Sequence, residues 1–124
     1  MRTISAVAIA SALGGLSRYL LGGVIARAGA SFPWETLVIN ATGSFALGFL
    51  FTMFVEVAAT PAWLRAGILV GFLGSYTTFS TFSLESFRLI EDGAYASAFA
   101  NLFGSLVVGL AAVYAGIVLA RTLA

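Results

Sequence analysis

Four long apolar runs divide this sequence, at residues 4–26, 34–57, 62–90 and 95–120. Each is long enough for a membrane-crossing helix, which takes about 20 mostly apolar residues. The breaks between them carry turn chemistry. Arg27 and Gly29 end the first run, Pro33 precedes the second, and Ala58-Ala59-Thr60-Pro61 separates the second from the third. Glu91-Asp92-Gly93 ends the third run and Arg121 closes the fourth. Thr60-Pro61 reads as a hydroxyl N-cap followed by proline at the first helical position. Trp34 and Trp63 each stand at the start of a run, where interfacial aromatics are expected. The chain is 60% hydrophobic and 9% charged over 124 residues, against about 25% charged in soluble domains. A soluble fold of this size cannot hide that much apolar surface. The expected class is an all-α membrane protein: one domain, 1–124, with four transmembrane helices.

Composition also excludes chemistry. The net charge is +1, so no basic footprint for nucleic acid is present. All six cations are arginine, and cysteine and histidine are absent. Thiol catalysis, disulfides, thiolate or imidazole metal sites and histidine proton shuttles therefore drop out. A serine nucleophile would lack its usual base, which disfavours an intramembrane enzyme. Met1-Arg2-Thr3 ahead of an apolar run looks like a signal peptide, with Ala10-Ser11-Ala12 as a cleavage site. The apolar core before that site is only about seven residues, the minimum for a signal. The apolar pattern continues past it, so a retained first span is expected.

The third run is unusual. As one straight helix, 62–90 would be about 43 Å long, whereas the hydrocarbon is about 30 Å thick. Seven of the ten residues 74–83 carry a hydroxyl. Gly74 permits unusual backbone angles, and Thr77-Thr78 are β-branched residues that weaken helix. A helix break within 74–80 is expected, and it would free carbonyls and amides near mid-membrane, where ions can use them. The alternative is a continuous helix whose serines and threonines bond back to the preceding turn.

Alternating crossings put Arg2, Arg65 and Arg121 on one side and Arg27 and Arg88 on the other, with Arg18 inside the first span. Three against two is almost no positive-inside bias, which fits either a chain that inserts both ways and pairs as an antiparallel, dual-topology homodimer or one weakly specified orientation; an oligomer is expected in both cases. Small residues provide close-approach faces: Gly67, Gly71 and Gly74; Ser44 and Gly48; Ser97, Asn101, Ser105 and Gly109. Asn40, Asn101 and Ser105 need hydrogen-bond partners if they lie in lipid. Phe79 and Phe82, three apart, share a helix face, and spacing alone reads them as packed core, with an electrostatic role as the alternative. Their ring edges carry the positive end of the quadrupole and can face an anion without a full charge.

Three segments then make the chain recognisable: Gly14-Gly15-Leu16-Ser17-Arg18-Tyr19, the run from Glu35 through Asn40 to Phe45, and Gly71-Phe72-Leu73-Gly74-Ser75-Tyr76-Thr77-Thr78-Phe79-Ser80-Thr81-Phe82-Ser83-Leu84-Glu85. Together they closely resemble the Fluc/CrcB fluoride channel family over nearly the whole chain. The resemblance implies an antiparallel homodimer with two pores, passive and selective fluoride export, and a bacterial plasma-membrane location. It also implies a structural Na⁺ held by the backbone carbonyls of Gly74 and Thr77. It maps pore lining to Phe79, Phe82, Asn40 and Ser105, with a polar track at Ser80 and Thr81. Glu85 and Arg18 map to a vestibule. The resemblance also implies tyrosine in many relatives where this chain has Asn101.

The chemistry suits this assignment. Fluoride is small and strongly hydrated, so a pore must replace its water with dense donors, which amides and hydroxyls supply. Conduction also needs sites that release the ion. A second reading is a proton-coupled, dual-topology small multidrug exporter. That transport needs an acid deep in a span, whereas Glu56 and Glu85 lie toward span ends.

Overall fold

The computed structural model describes residues 1–26 and 31–124. The Arg27 and Gly29 signals at the end of the first run lie outside the described residues. Among those described, every regular element is helical. Helix α1 spans Arg2–Ala26, and α2 spans Trp34–Phe51 and runs on as a π-helical stretch, Thr52–Val57. The third crossing begins with α3, Ala62–Arg65, passes through a π-helical stretch, Ala66–Phe72, and continues as α4, Leu73–Tyr76. After a two-residue gap come α5, Phe79–Glu91, and α6, Tyr95–Leu123. Arg2–Ala26, Trp34–Val57 and Tyr95–Leu123 are long and apolar enough to cross a membrane unaided.

The gap is a true break in the helix. Thr77 (φ −84°, ψ 157°) and Thr78 (φ −148°, ψ 121°) are extended. Helix α5 restarts with Thr78 as its N-cap, the Thr78 hydroxyl oxygen accepting the Thr81 amide at 3.2 Å. Its far end closes differently. Gly93 has φ 75°, the Gly93 amide donates to the Ile90 carbonyl, and the Ala94 amide donates to the Leu89 carbonyl. That is a Schellman closure, in which glycine takes the left-handed position. It turns the chain directly into α6.

The third crossing starts one residue later than Thr60-Pro61 suggests. The helix begins at Ala62, with Pro61 extended (ψ 142°) in the cap position and no side-chain cap. The Pro61 carbonyl accepts the Leu64 and Arg65 amides, and the Arg65 guanidinium takes the Thr60 carbonyl at 3.3 Å. The Pro61 carbonyl thus takes the first helical amides without help from the Thr60 hydroxyl, while Arg65 holds the preceding Thr60 carbonyl.

Two seams hold the bundle. Along the first, α1 packs on α3, the π-helical stretch and α4. A Cβ at Gly14 would overlap the Phe72 carbonyl, and Cβ atoms at Gly67 and Gly71 would lie 3.2 and 3.1 Å from the methyls of Ala6 and Ala10. Gly74, read from the sequence as part of the same face, instead meets nothing within 4 Å. The wider π turns between Ala66 and Phe72 rotate it off the seam. Along the second seam α2 meets α6, where Cβ atoms on Gly48 and Gly116 would overlap the Val113 and Phe45 carbonyls.

The Arg2 guanidinium lies 5.7 Å from the Trp63 ring centroid. Arg121 forms a two-bond pair with Glu56, at 3.0 and 2.9 Å. The N-terminus, the 58–61 connection and the C-terminus thus share one end, as alternating crossings require. Few large side chains point inward: Ile39 and Leu73 are the large buried hydrophobics among the described residues. Leu13, Leu16, Leu20 and Val24 on α1, and Leu106, Leu110 and Tyr114 on α6, are each more than half exposed. An apolar exterior of this extent suits lipid and would aggregate in water.

Candidate functional site

The break at Thr77–Thr78 leaves backbone polar groups with no helical partner, and one side chain takes up two of them. Asn40 Nδ2 donates to the Thr78 carbonyl at 3.0 Å, and the Thr78 amide donates to Asn40 Oδ1 at 2.8 Å. The carboxamide of α2 thus pairs with a single residue of the third crossing as a neighbouring β-strand would. Close approach is possible because residue 43, one turn along α2, is glycine. A Cβ there would overlap the Thr77 methyl and meet the Tyr76 ring.

This clamp frees carbonyls. In a continuous helix the Thr78 amide would close on the Gly74 carbonyl and the Thr81 amide on the Thr77 carbonyl. Both amides are committed elsewhere, to Asn40 Oδ1 and to the Thr78 hydroxyl. The Gly74 and Thr77 carbonyls are therefore left at the C-terminal, partially negative end of the first half-helix. Between them in sequence, the Ser75 carbonyl accepts Arg18 Nε at 3.3 Å. Arg18 on α1 thus places a fixed cation against that same helix end.

Beside the break lies an open groove of about 740 Å³ between α2, the third crossing and α6. Asn40, Gly74, Thr77, Phe79, Phe82 and Ser105 all line it. The Phe79 and Phe82 ring centroids are 5.9 Å apart at 47°, and Phe79 is 78% exposed. The fold therefore gathers most of the residues singled out by sequence into one place. Ser80 and Thr81 are not in the groove lining. Thr81 receives a hydrogen bond from the Thr78 hydroxyl at 3.1 Å, as part of the α5 cap, and Ser80 lies on the exposed side.

Glu85 stands apart as well. The Thr36 hydroxyl donates to Glu85 Oε1 at 2.7 Å, which ties α2 to α5. Glu85 Oε2 is buried with no partner among the described residues. Thr36→Val would leave both carboxylate oxygens unpaired. It is expected to lower stability by about 1–3 kcal/mol, the desolvation penalty of an unsatisfied polar group, and thermal unfolding in detergent checks this.

The partnerships of three residues escaped the sequence reading. Thr78 is both the clamped residue and the α5 cap, and its hydroxyl three residues before Thr81 was the available signal. Thr36 supports Glu85. Ser86 is 3% exposed, donates to the Phe82 carbonyl at 2.8 Å and accepts from Asn101 Nδ2 at 2.8 Å. A lone serine one turn beyond Phe82 gives no sequence signal for that partnership.

Known proteins share this arrangement of sequence. Residues 5–117 match the family described as "CrcB-like protein, Camphor Resistance (CrcB)". A relative from Geobacter sulfurreducens named "Fluoride-specific ion channel FluC" is 46% identical over 99% of this chain and 100% of its own length. One of the same name from Geobacter metallireducens is 47% identical with the same coverage. A third, from Methylococcus capsulatus, is 48% identical over 98% of this chain, which spans 54% of that relative. With the match running from the first crossing to the last and including the broken third, the chain belongs to the Fluc/CrcB family of integral membrane proteins.

Proposed function

We propose that this protein is a fluoride-selective channel that lets fluoride leave a bacterial cell passively through the plasma membrane, and that it works as an antiparallel, dual-topology homodimer. The carrying observation is the full-length likeness to relatives named as fluoride-specific channels. The geometry supports it. A single broken helix presents carbonyls at the C-terminus of one half and amides at the N-terminus of the other, the two polarities that cations and anions use.

A structural Na⁺ fits the donor set. The Gly74 and Thr77 carbonyls have lost their helical amides, and Gly74 faces open space. Neutral oxygens are the ligands a hard cation takes. When bound, the ion would supply positive field without a titratable group. Arg18 would sit behind this site as a second fixed charge. The exposed Phe79 ring, the open groove and the unpacked Gly74 face are surfaces that a second copy would cover. In the groove, Phe79 and Phe82 would turn ring edges toward fluoride, while hydroxyls and amides replace its water.

The test is fluoride efflux from liposomes holding the purified protein, without a proton gradient. Rapid fluoride loss with chloride retained is expected. Efflux that needs a pH gradient would instead support an exporter, and no efflux would sink the channel reading. In the same assay Phe79→Ile and Phe82→Ile are each expected to abolish efflux, with the dimer intact. Unchanged rates in both variants would return the rings to simple packing. A C-terminal tag reached from both sides of the membrane is the expected sign of dual topology.

A further inference from the structure

Asn101 is the largest fully buried side chain among the described residues, 1% exposed, and it does not line the groove. It lies behind two residues that do. Its Nδ2 is 2.8 Å from Ser86 Oγ, its Oδ1 is 3.3 Å from Ser105 Oγ, and Ser86 Oγ is 2.8 Å from the Phe82 carbonyl oxygen. The proton direction along this chain is determined at one end. A carbonyl only accepts, so the Ser86 proton must lie between its oxygen and that of Phe82. Ser86 can then only accept from Asn101, which turns the amide nitrogen toward Ser86 and the amide oxygen toward Ser105. Ser105 in turn must donate to Asn101.

On the reading of this groove as the fluoride path, we infer that Asn101 is a positioning residue that competes with the anion for the Ser105 hydroxyl proton. With the groove empty of anion, Ser105 points its proton back at Asn101 and offers lone pairs to the groove. When fluoride arrives, the hydroxyl rotates toward it, and the Asn101 oxygen loses its partner. The 3.3 Å bond is long for a hydroxyl donor, whose usual distance is about 2.7–2.8 Å, so rotation is easy in both directions. Asn101 thereby weakens fluoride binding at Ser105 and favours release, which a conducting site needs.

The competing bond sets the expected size of the effect. A net hydrogen bond changes an equilibrium constant by about 2- to 10-fold. Fluoride efflux from liposomes would be measured against fluoride concentration for the full-length dimer. Asn101→Leu removes the competing acceptor, and the half-saturating concentration is expected to fall by about 2- to 10-fold. Ser86→Ala keeps Asn101 but removes what orients it. The amide can then turn its nitrogen to Ser105, whose proton is released to the groove, so a shift in the same direction is expected. In a Ser105→Ala background both shifts should vanish, whereas a purely structural effect of Asn101 would persist there. An unchanged half-saturation in both single variants, or a shift surviving in Ser105→Ala, overturns the inference while leaving the channel reading intact. A wild-type protein silent in the same liposomes overturns the channel reading and this inference with it.

Discussion

Asn40→Leu is expected to abolish fluoride efflux, a loss of about 100-fold or more, in protein that still folds and inserts. Leucine matches asparagine in size but removes both hydrogen bonds to Thr78. The Thr78 amide and carbonyl would then be unpaired, at about 1–3 kcal/mol each, within a span where lipid offers no substitute. The cheapest remedy lies within the chain: the Thr78 amide returns to the Gly74 carbonyl and the third crossing moves toward continuous helix. Closing the break removes the exposed carbonyl and turns Phe79 and Phe82 relative to the groove. Asn40→Asp separates this role from simple anion donation. A carboxylate still accepts the Thr78 amide but sets an oxygen against the Thr78 carbonyl, so the break should persist at a stability cost of about 1–3 kcal/mol while the negative charge slows fluoride. Efflux assays on both variants, with thermal unfolding in detergent, provide the check. Wild-type rates in Asn40→Leu would show that the clamp is dispensable.

The second large effect is expected on stability, at the α2–α6 seam. Gly48→Ala puts a Cβ into the Val113 carbonyl, and Gly116→Ala puts one into the Phe45 carbonyl and 2.7 Å from the Phe49 amide nitrogen. The obstacles are backbone atoms on both sides, so no side chain can swing away. Each substitution is expected to destabilise by about 1–3 kcal/mol through overpacking. Because both force the same two helices apart, the double variant should cost less than the sum. Gly104→Ala on the same α6 helix meets nothing within 4 Å. It should be neutral or slightly stabilising, by up to about 1 kcal/mol, because alanine is the better helix former. Thermal unfolding midpoints in one detergent compare the three. An intact midpoint for Gly116→Ala would mean that the seam is looser than the structure has it.

The bilayer makes much of this protein legible in sequence. Apolar runs of spanning length and the punctuation at Pro33, Thr60-Pro61 and Glu91-Asp92-Gly93 follow from local chemistry. So does the weakness of the helix around Gly74, Thr77 and Thr78. The grouping of glycines on helix faces was legible too, but only partly. The spacing of Gly67, Gly71 and Gly74 implied one common face, and the intervening π turns rotate Gly74 away from it. A 3.6-residue period cannot anticipate a local change of helical pitch between Ala66 and Phe72.

What the sequence by itself determined is therefore the set of crossings and the residues that can neither sit comfortably in lipid nor continue a helix. Only the tertiary structure decided how those residues are satisfied. Asn40 bonds the Thr78 backbone 38 positions away, Glu85 takes the Thr36 hydroxyl 49 positions away, and Arg18 meets the Ser75 carbonyl 57 positions away. Asn101, whose role spacing leaves open, is oriented through Ser86 by the Phe82 carbonyl. The physical reason is the same in each case. A polar group removed from water must find a partner, and residue type reveals that need, while the packing of distant helices determines which partner meets it.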